Sequence, residues 1–158
     1  MSSPLVIDES WEDLTPTERQ EKIVVFESLC NALGGGDKAG IEPKHYFCNG
    51  LYAREIFIPA GVALVGAIHK HSHINVVSQG KIIVATDEGV RTITAPETFV
   101  SPAGVKRAGY VFEDTVWTTF HVTDSTEPDD IWQECVADSY EEYNNLLEDK
   151  SCHSLPQQ

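Results

Sequence analysis

The chain has 158 residues, of which 41% are hydrophobic and 23% charged, which is the composition and length of one ordinary globular domain. Its 25 acidic and 11 basic residues give a formal net charge of −14. That charge repels phosphate backbones and anionic membrane surfaces, so we expect neither a nucleic-acid nor a membrane partner.

The cysteines and the first residues indicate the compartment. The four cysteines are scattered, with no C-x-x-C pair and no zinc-finger spacing, which favours idle or buried thiols. Residues 1–11 lack the basic start and apolar stretch of a signal peptide, and no apolar run approaches the ~20 residues that a bilayer requires. We therefore expect a cytoplasmic protein.

The first predicted element is a helix. Thr15-Pro16-Thr17-Glu18 supplies a cap oxygen, a proline at the first helical position and a capping-box glutamate, and Leu33-Gly34 should end the helix. Within it an apolar stripe recurs at helical spacing, formed by Ile23, Phe26, Cys30 and Leu33. The glycine run at residues 34–36 lacks the other features of a phosphate loop and is interpreted as a flexible joint. Residues 1–43 are thus predicted to be an N-terminal extension.

Between residues 44 and 123 the hydrophobic period changes to two, which is typical of strands. Short strands with glycine-containing turns between them, Gln79-Gly80 among these, favour a closed jelly-roll barrel that hides its strand edges. The predicted strands are Ala53–Ile58, Val62–Ile68, His73–Ser78, Lys81–Thr86, Val90–Thr94, Thr98–Ser101 and Thr115–Val122.

The helical period returns after residue 123. Pro128–Asp138 is predicted to be a helix, and Ser139 with Glu142 forms a second capping box before a helix at Tyr140–Leu147. Residues 151–158 are expected to be a loose tail. The predicted organisation is therefore an extension at 1–43, a barrel at 44–123 and a helical extension at 124–158.

The chemistry concentrates at residues 66–75, Gly-Ala-Ile-His-Lys-His-Ser-His-Ile-Asn. Alternate side chains of an extended chain share a face, so four polar side chains can project the same way. Imidazole suits zinc, nickel, copper and iron, and three histidines leave coordination positions open for water or substrate. The alternative is a surface strand that alternates histidine with polar residues. The four residues are His69, His71, His73 and Asn75.

The segment resembles the first cupin motif, in which a glycine precedes H-x-H, an acidic residue follows and a glycine closes the strand. His69-Lys70-His71 supplies the H-x-H, Asn75 takes the place of the usual glutamate, and Gly80 comes two residues early. Pro102-Ala103-Gly104 resembles the start of the second motif, with Arg107 in the place of its histidine. The resemblance covers roughly residues 52–122.

The resemblance to the cupin superfamily implies a mainly β fold with a single jelly-roll β-barrel, and the predicted helices add an N-terminal helix and C-terminal helices to it. It also implies one divalent transition metal, which can be iron, nickel, zinc or manganese. Within the superfamily the chain is similar to small uncharacterised single-domain proteins of tailed phages and bacteria. A phage-encoded protein would work in the host cytoplasm.

His121 is the candidate for the missing ligand. On the last predicted strand Trp117, Thr119 and His121 share one face. If that face is inward, His121 completes a three-histidine site with His69 and His71, and His73 is a rim residue or a fourth ligand. Otherwise His121 is a neutral core histidine.

Arg107 indicates an anionic ligand. Its guanidinium presents a rigid fork of donors that matches a carboxylate or a phosphate. The alternative is a surface ion pair with Glu113 or Asp114. Arg54 and Glu55 lie on opposite faces of a predicted strand, and whichever points inward needs a partner to offset its desolvation.

Three further side chains are candidates for lining the ligand pocket. Asn75 follows the histidines, and Tyr110 and Trp117 are aromatic residues of the barrel region. Aromatic residues of a small barrel can equally be plain core.

Two classes of function follow from these residues. The first is a metalloenzyme in which an open histidine site binds a small anionic ligand and acts as an oxygenase or isomerase. The second is a non-catalytic binding, sensor or protein-interaction module. The sequence does not decide between these two classes, and it leaves open whether the protein is a homodimer.

Overall fold

The predicted N-terminal helix is present in the computed structural model of the chain, which describes residues 9–34 and 40–152. Helix α1 spans Pro16–Ala32, after a short 3₁₀ turn at Glu9–Trp11. Its predicted capping box is confirmed, with the Thr15 side chain and Glu18 bonding each other's backbone N–H groups. The apolar stripe is shorter than predicted, because Ile23 is buried whereas Leu33 is 89% exposed.

Within residues 40–152, nine strands follow the helix. Seven of them form one antiparallel sheet in the order β1-β2-β8-β5-β6, with β3 also pairing with β8 and β7 with β5. β4 and β9 form a separate two-stranded sheet. The strands are β1 (Lys44–Cys48), β2 (Leu51–Ile58), β3 (Ala63–Val65), β4 (Ile68–His69), β5 (His73–Thr86), β6 (Gly89–Thr94), β7 (Glu97–Ser101), β8 (Ala108–Val122) and β9 (Val136–Ala137).

Strands β5 and β8 are the long central pair of the sheet. Residues 74–85 of β5 pair with residues 108–120 of β8, with irregularities between Val77 and Ile82. The predicted turn at Gln79-Gly80 is wrong, because β5 continues through it as a bulged strand. Gly80 has φ +92°, and a Cβ there would lie 2.4 Å from the Asp114 carbonyl oxygen, so glycine is required.

The hydrophobic core lies on the inner face of this sheet, on both sides of the irregular part of β5. Its buried members share two features, a β-branched side chain and an inward strand position, and they are Ile58, Val77, Ile82, Val84, Ile93 and Val111. A second cluster attaches α1 to the sheet through Trp11, Ile23, Ala85 and Ala108. The core therefore occupies one end of the sheet.

The C-terminal segment packs at the other end. Helix α2 spans Pro128–Cys135, and α3 spans Tyr140–Cys152. The predicted helix at 128–138 ends three residues early because Val136–Ala137 leaves it to pair with β4. Ile131 and Cys135 of α2 pack against Tyr52.

The predicted fold class, mainly β with helices before and after the strands, is confirmed, and the strand order is consistent with a jelly roll. None of the helices within the described ranges is long and apolar enough to cross a membrane. Residues 35 and 36 of the predicted glycine joint and residues 153–158 of the predicted tail lie outside the described residues.

Candidate functional site

Three imidazole rings meet at the end of the sheet opposite the core. The ring centroids of His69 and His73 are 4.1 Å apart, those of His69 and His121 are 5.0 Å apart, and those of His73 and His121 are 4.9 Å apart. The three residues belong to different strands, β4, β5 and β8. We call this cluster the histidine trio.

The sheet register places two members of the trio. Ile74 of β5 lies opposite Phe120 of β8, so His73 and His121, the next residues along each strand, are neighbours on the inner face. The pairs Tyr52–His121 and His73–Ser101 extend this row to β2 and β7.

The C-terminal segment places the third member, because β4 pairs with β9. His69 lies opposite Val136, and its carbonyl oxygen accepts a hydrogen bond of 2.9 Å from the Gly104 N–H. The next residue, Lys70, donates its backbone N–H to the Cys135 carbonyl at 2.8 Å and forms a 3.1 Å ion pair with Glu142. Residues of α2, β9 and α3 therefore position the backbone from which the His69 side chain projects.

His71, the remaining histidine of residues 66–75, does not belong to the trio. The chain bends at residues 70–72, between β4 and β5, so the alternation expected across residues 69–73 is interrupted. His71 is exposed, and His73 takes the place in the trio that we predicted for His71. The His71 carbonyl oxygen is 3.3 Å from Nδ1 of His73 and must accept that hydrogen bond. Nδ1 therefore carries the proton, and Nε2 of His73 keeps a free lone pair.

Burial keeps the trio neutral. It lowers the pKa of His69 from 6.5 to about 3, with His73 and His121 adding to the shift. It lowers the pKa of His121 to about 4, again with a contribution from His73. The pKa of His73 is also lowered by burial, against the opposing effect of the His71 carbonyl. Neutral imidazole is the form that binds a metal ion.

The spacing of the rings matches a metal site, but their orientation does not. A metal bonded at about 2.1 Å to three imidazole nitrogens holds ring centres roughly 4.5–5.3 Å apart, close to the distances in the trio. His121 is nevertheless nearly parallel to His69, at 17°, and to His73, at 29°. Among residues 9–34 and 40–152, no group of three or more His, Cys, Asp or Glu side chains is arranged to hold a metal ion. The rings must turn before their nitrogens converge.

Two arginines flank the trio. Arg54 lies on the inner face of β2, opposite Thr119, and Arg107 lies between β7 and β8 with its guanidinium 5.5 Å from the centre of the Phe99 ring. Arg54 contributes to the lowered pKa values of His69 and His121, and Arg107 to those of His69 and His73. The two cations therefore act on the trio from the β2 and β7 sides.

Neither guanidinium has a hydrogen-bond or ion-pair partner in the described part of the chain. Burial lowers the pKa of both arginines. The alternative ion pair of Arg107 with Glu113 or Asp114 is not formed; Glu88 and Asp87 are the carboxylates whose charges act on it. No carboxylate contributes to the pKa shift of any trio member. The site is positive although the chain is strongly acidic.

Buried donors complete the inner face. Asn75 is 1% exposed, and its Oδ1 accepts a 2.9 Å hydrogen bond from Trp117 Nε1, while its Nδ2 has no partner among the described residues. Ser101, opposite His73, is fully buried, and its Oγ also lacks such a partner. A buried polar atom without a partner is costly, so both atoms are suited to a ligand or to ordered water.

Tyr110 is not brought to this site. It lies eleven residues before His121 on β8, opposite Ile83, and its ring packs edge-on against Phe112 with centroids 5.4 Å apart. Its outward position relative to the buried Val111 follows from the alternation of the strand.

Two residues of the site were missed as site candidates by the sequence reasoning. Ser101 ends a predicted strand without a distinguishing motif. Tyr52 stacks on His121 at 6.3 Å, and its hydroxyl lies 2.7 Å from Nδ1 of His45. Arg54 was noticed, and its alternation with Tyr52 and Ile56 on β2 was the available signal for an inward side chain.

The chain resembles known proteins in structure rather than in sequence. No family model and no curated protein matches the sequence. Similar solved structures include an RmlC-like cupin from Shewanella frigidimarina, 23% identical over 56% of this chain and 80% of that chain, with a TM-score of 0.46. KdgF from Halomonas sp. is 23% identical over 58% of this chain and 85% of that chain, with a TM-score of 0.46.

A cupin domain from Bordetella pertussis is 19% identical over 52% of this chain and 93% of that chain, with a TM-score of 0.42. This chain is similar to cupins in fold. The resemblance to phage proteins stays a prediction.

Proposed function

We propose that the chain is a metal-binding, cupin-like protein that binds a small anionic ligand at the histidine trio. The observation that carries the proposal is three neutral imidazoles flanked by two guanidiniums without partners among the described residues. Neutral imidazoles supply metal donors, and unpaired cations supply the attraction for an anion.

The donor set supports a transition metal rather than calcium or magnesium, which prefer oxygen ligands. His69, His73 and His121 would hold one divalent ion of iron, nickel, zinc or manganese. For His73 the hydrogen bond from Nδ1 to the His71 carbonyl supports coordination through Nε2, the arrangement that fixes a ligating imidazole in other metal sites. His69 and His121 would have to rotate about their side-chain bonds.

A bound anion would offset the desolvation cost of the two arginine side chains. A guanidinium removed from water without a counter-charge is unfavourable, and here no described carboxylate pairs with either one. Arg54 and Arg107 would bind a carboxylate or phosphate group by paired hydrogen bonds. Asn75 Nδ2 and Ser101 Oγ offer further donors on the same inner face.

A bound metal would supply Lewis-acid or, in the case of iron, oxygen chemistry, which is the basis for proposing an oxygenase or isomerase. The chain's own residues would orient the anionic ligand between the arginines, and the packing of α2 against Tyr52 would limit the access of water.

The alternative is a non-catalytic binding or sensor module. It is favoured by the near-parallel stacking of His121 on its two neighbours, which leaves the imidazoles unconverged. Such a module would bind the anion without an ion at the trio.

Metal content decides between these functions. Untagged protein is to be analysed by plasma mass spectrometry as purified and after loading with each candidate metal. We expect one ion per chain, lost on His69→Ala, His73→Ala or His121→Ala and retained in the exposed control His71→Ala. Equal metal content in all four variants, or none in the native protein, would contradict the metal site and favour the module.

The anion site is tested separately by calorimetric titration with small carboxylates and with inorganic phosphate. Arg54→Lys and Arg107→Lys should each weaken binding about tenfold or more, because an ammonium cannot reproduce a two-pronged contact. Metal content should not change. The control is Arg91→Lys, since Arg91 is more exposed and already pairs with Glu97. If all three variants bind like the native protein, the arginines do not hold the ligand.

A further inference from the structure

The inner face of the sheet carries a row of side chains directly beside the row that holds two members of the histidine trio. The register places Arg54 of β2 opposite Thr119 of β8, and Thr119 opposite Asn75 of β5. Asn75 in turn lies opposite Phe99 of β7. Directly opposite residues share a face of a sheet, and each of these four lies two positions along its strand from a residue of the histidine-containing row. We call these four residues the Arg54 row.

The Arg54 row has a cation at each end. Arg54 itself is the β2 end, and at the β7 end the Arg107 guanidinium lies 5.5 Å from the centre of the Phe99 ring. Both arginine side chains are half-buried. Strands β8 and β5 lie between β2 and β7. Because neighbouring strands are about 4.8 Å apart, the two ends of the row are separated by up to about 14 Å.

The histidine trio lies between the two cations. The charge of Arg54 lowers the pKa of His69 and of His121. The charge of Arg107 lowers the pKa of His69 and of His73. Neither arginine contributes to the lowered pKa of the other, for which burial is the first cause. Each cation therefore acts from its own side of the trio, and one carboxylate, which must lie about 2.9 Å from its donors, cannot contact both.

The middle of the Arg54 row offers a hydrogen-bond donor. Trp117 Nε1 can only donate, so the Asn75 atom that it contacts at 2.9 Å is the carbonyl oxygen Oδ1. The remaining polar atom of Asn75 is the amide nitrogen Nδ2, which has no hydrogen-bond partner among residues 9–34 and 40–152, although the side chain is 1% exposed. A hydroxyl oxygen between the two ends of a ligand would supply the acceptor that this buried donor requires.

We propose that the ligand of the histidine trio is a short-chain dicarboxylate whose two carboxylates bind Arg54 and Arg107, with the middle of the molecule over Asn75. This assignment rests on the proposed function, because it specifies the anionic ligand of the same site. A guanidinium matches a carboxylate with two parallel hydrogen bonds, so a carboxylate at each end satisfies both cations. A ligand with one negative charge would leave one half-buried guanidinium without a counter-charge.

Calorimetric titration with ligands matched in length tests the proposal. The dicarboxylates malonate, succinate, glutarate and adipate are compared with the monocarboxylates of equal carbon number, propionate to hexanoate. The full chain is titrated as purified and after its metal has been removed by dialysis. We expect at least one dicarboxylate to bind about tenfold or more tightly than its matched monocarboxylate.

The middle of the ligand is tested by malate and succinate, which differ by one hydroxyl group. Malate should bind more tightly, because its hydroxyl oxygen can accept a hydrogen bond from the Asn75 amide nitrogen. Equal or weaker binding of malate would overturn the place of Asn75 in the proposal.

Arginine variants show whether both ends of the dicarboxylate are bound as proposed. Arg54→Gln and Arg107→Gln should each bring the affinities for the preferred dicarboxylate and its monocarboxylate to within about threefold, because one cation remains. Glutamine removes a half-buried charge, so both variants should fold, as checked by thermal unfolding. The matched control is Arg91→Gln. Arg91 also lies over the Phe99 ring, at 4.5 Å, but it pairs with Glu97, and the variant should retain the preference.

Three results would contradict the dicarboxylate. Equal affinities for dicarboxylates and monocarboxylates throughout the series would overturn it and leave the anion site of the proposed function in place. A preference that survives both Arg54→Gln and Arg107→Gln would overturn it as well, since the second carboxylate would then be bound elsewhere. No binding of any carboxylate would contradict the anion site itself and the dicarboxylate with it.

Discussion

The stability of the metal-free protein should fall steeply when the pH is lowered from 8 to 5. The folded-state pKa values of His69 and His121, about 3 and about 4, lie below the ordinary value of 6.5. At pH 8 these histidines are neutral in both states and contribute nothing to the pH dependence. Below pH 6.5 the unfolded chain binds a proton at each, while the folded chain does not. The free energy of unfolding therefore falls with pH, because protons favour the unfolded state.

The magnitude follows from the same values. At pH 5 both histidines are still largely neutral in the folded protein. The decrease in the free energy of unfolding is therefore set by the unfolded-state pKa, and it is about 2 kcal/mol for each residue. Both together should remove roughly 4 kcal/mol, a large share of the 5–15 kcal/mol typical of a domain. Ordinary carboxylates stay ionised in this range and add little.

Urea unfolding at pH 8 and pH 5 in the presence of a chelator measures this difference. His121→Gln should remove about 2 kcal/mol of the pH dependence, the share of one buried histidine, whatever it does to stability at pH 8. An unfolding free energy that is equal at the two pH values in the native protein would refute the assignment of buried, neutral imidazoles.

Two predictions concern the backbone. Gly80→Ala should cost more than about 3 kcal/mol in urea unfolding, because a Cβ there would lie 2.4 Å from Thr115 Oγ1 and 2.7 Å from its Cα, whereas Gly61→Ala, also at positive φ but with nothing within 4 Å, should cost only about 1 kcal/mol. A similar cost at both positions would show that backbone conformation alone matters. Thr15→Ala should lower stability by about 1 kcal/mol through loss of the α1 cap, and Thr17→Ala, a control in the first turn, should have a smaller effect.

Local patterns predicted the elements that local interactions form. The capping box of α1 involves residues three apart, and the period-two segments of β2, β6 and β7 extend only a residue or two beyond their predicted bounds. β1 escaped prediction because all five of its residues are exposed, so it has no alternation of buried and exposed positions. β9 escaped because its two residues become a strand only by pairing with β4, nearly 70 residues away.

The sequence predicted that the site would contain imidazole donors, but not which three histidines would form it. The cluster of histidines indicated imidazole donors, and His121 was found by counting along its strand. The bend at residues 70–72, which separates His71 from His73, depends on the distant pairing of β4 with β9. No local spacing reveals it.

The trio is anchored unevenly, and this determines how it can come apart. His73 and His121 belong to strands of 14 and 15 residues that continue into the apolar core, so freeing either ring requires breaking the central ladder. His69 belongs to a two-residue strand held by β9. Opening of that short pairing needs little free energy compared with global unfolding, and its amide protons should exchange soonest. The lifetime of any ion on the three imidazoles would then be governed by the departure of His69, and residues of the C-terminal segment would set the off-rate without touching the ion.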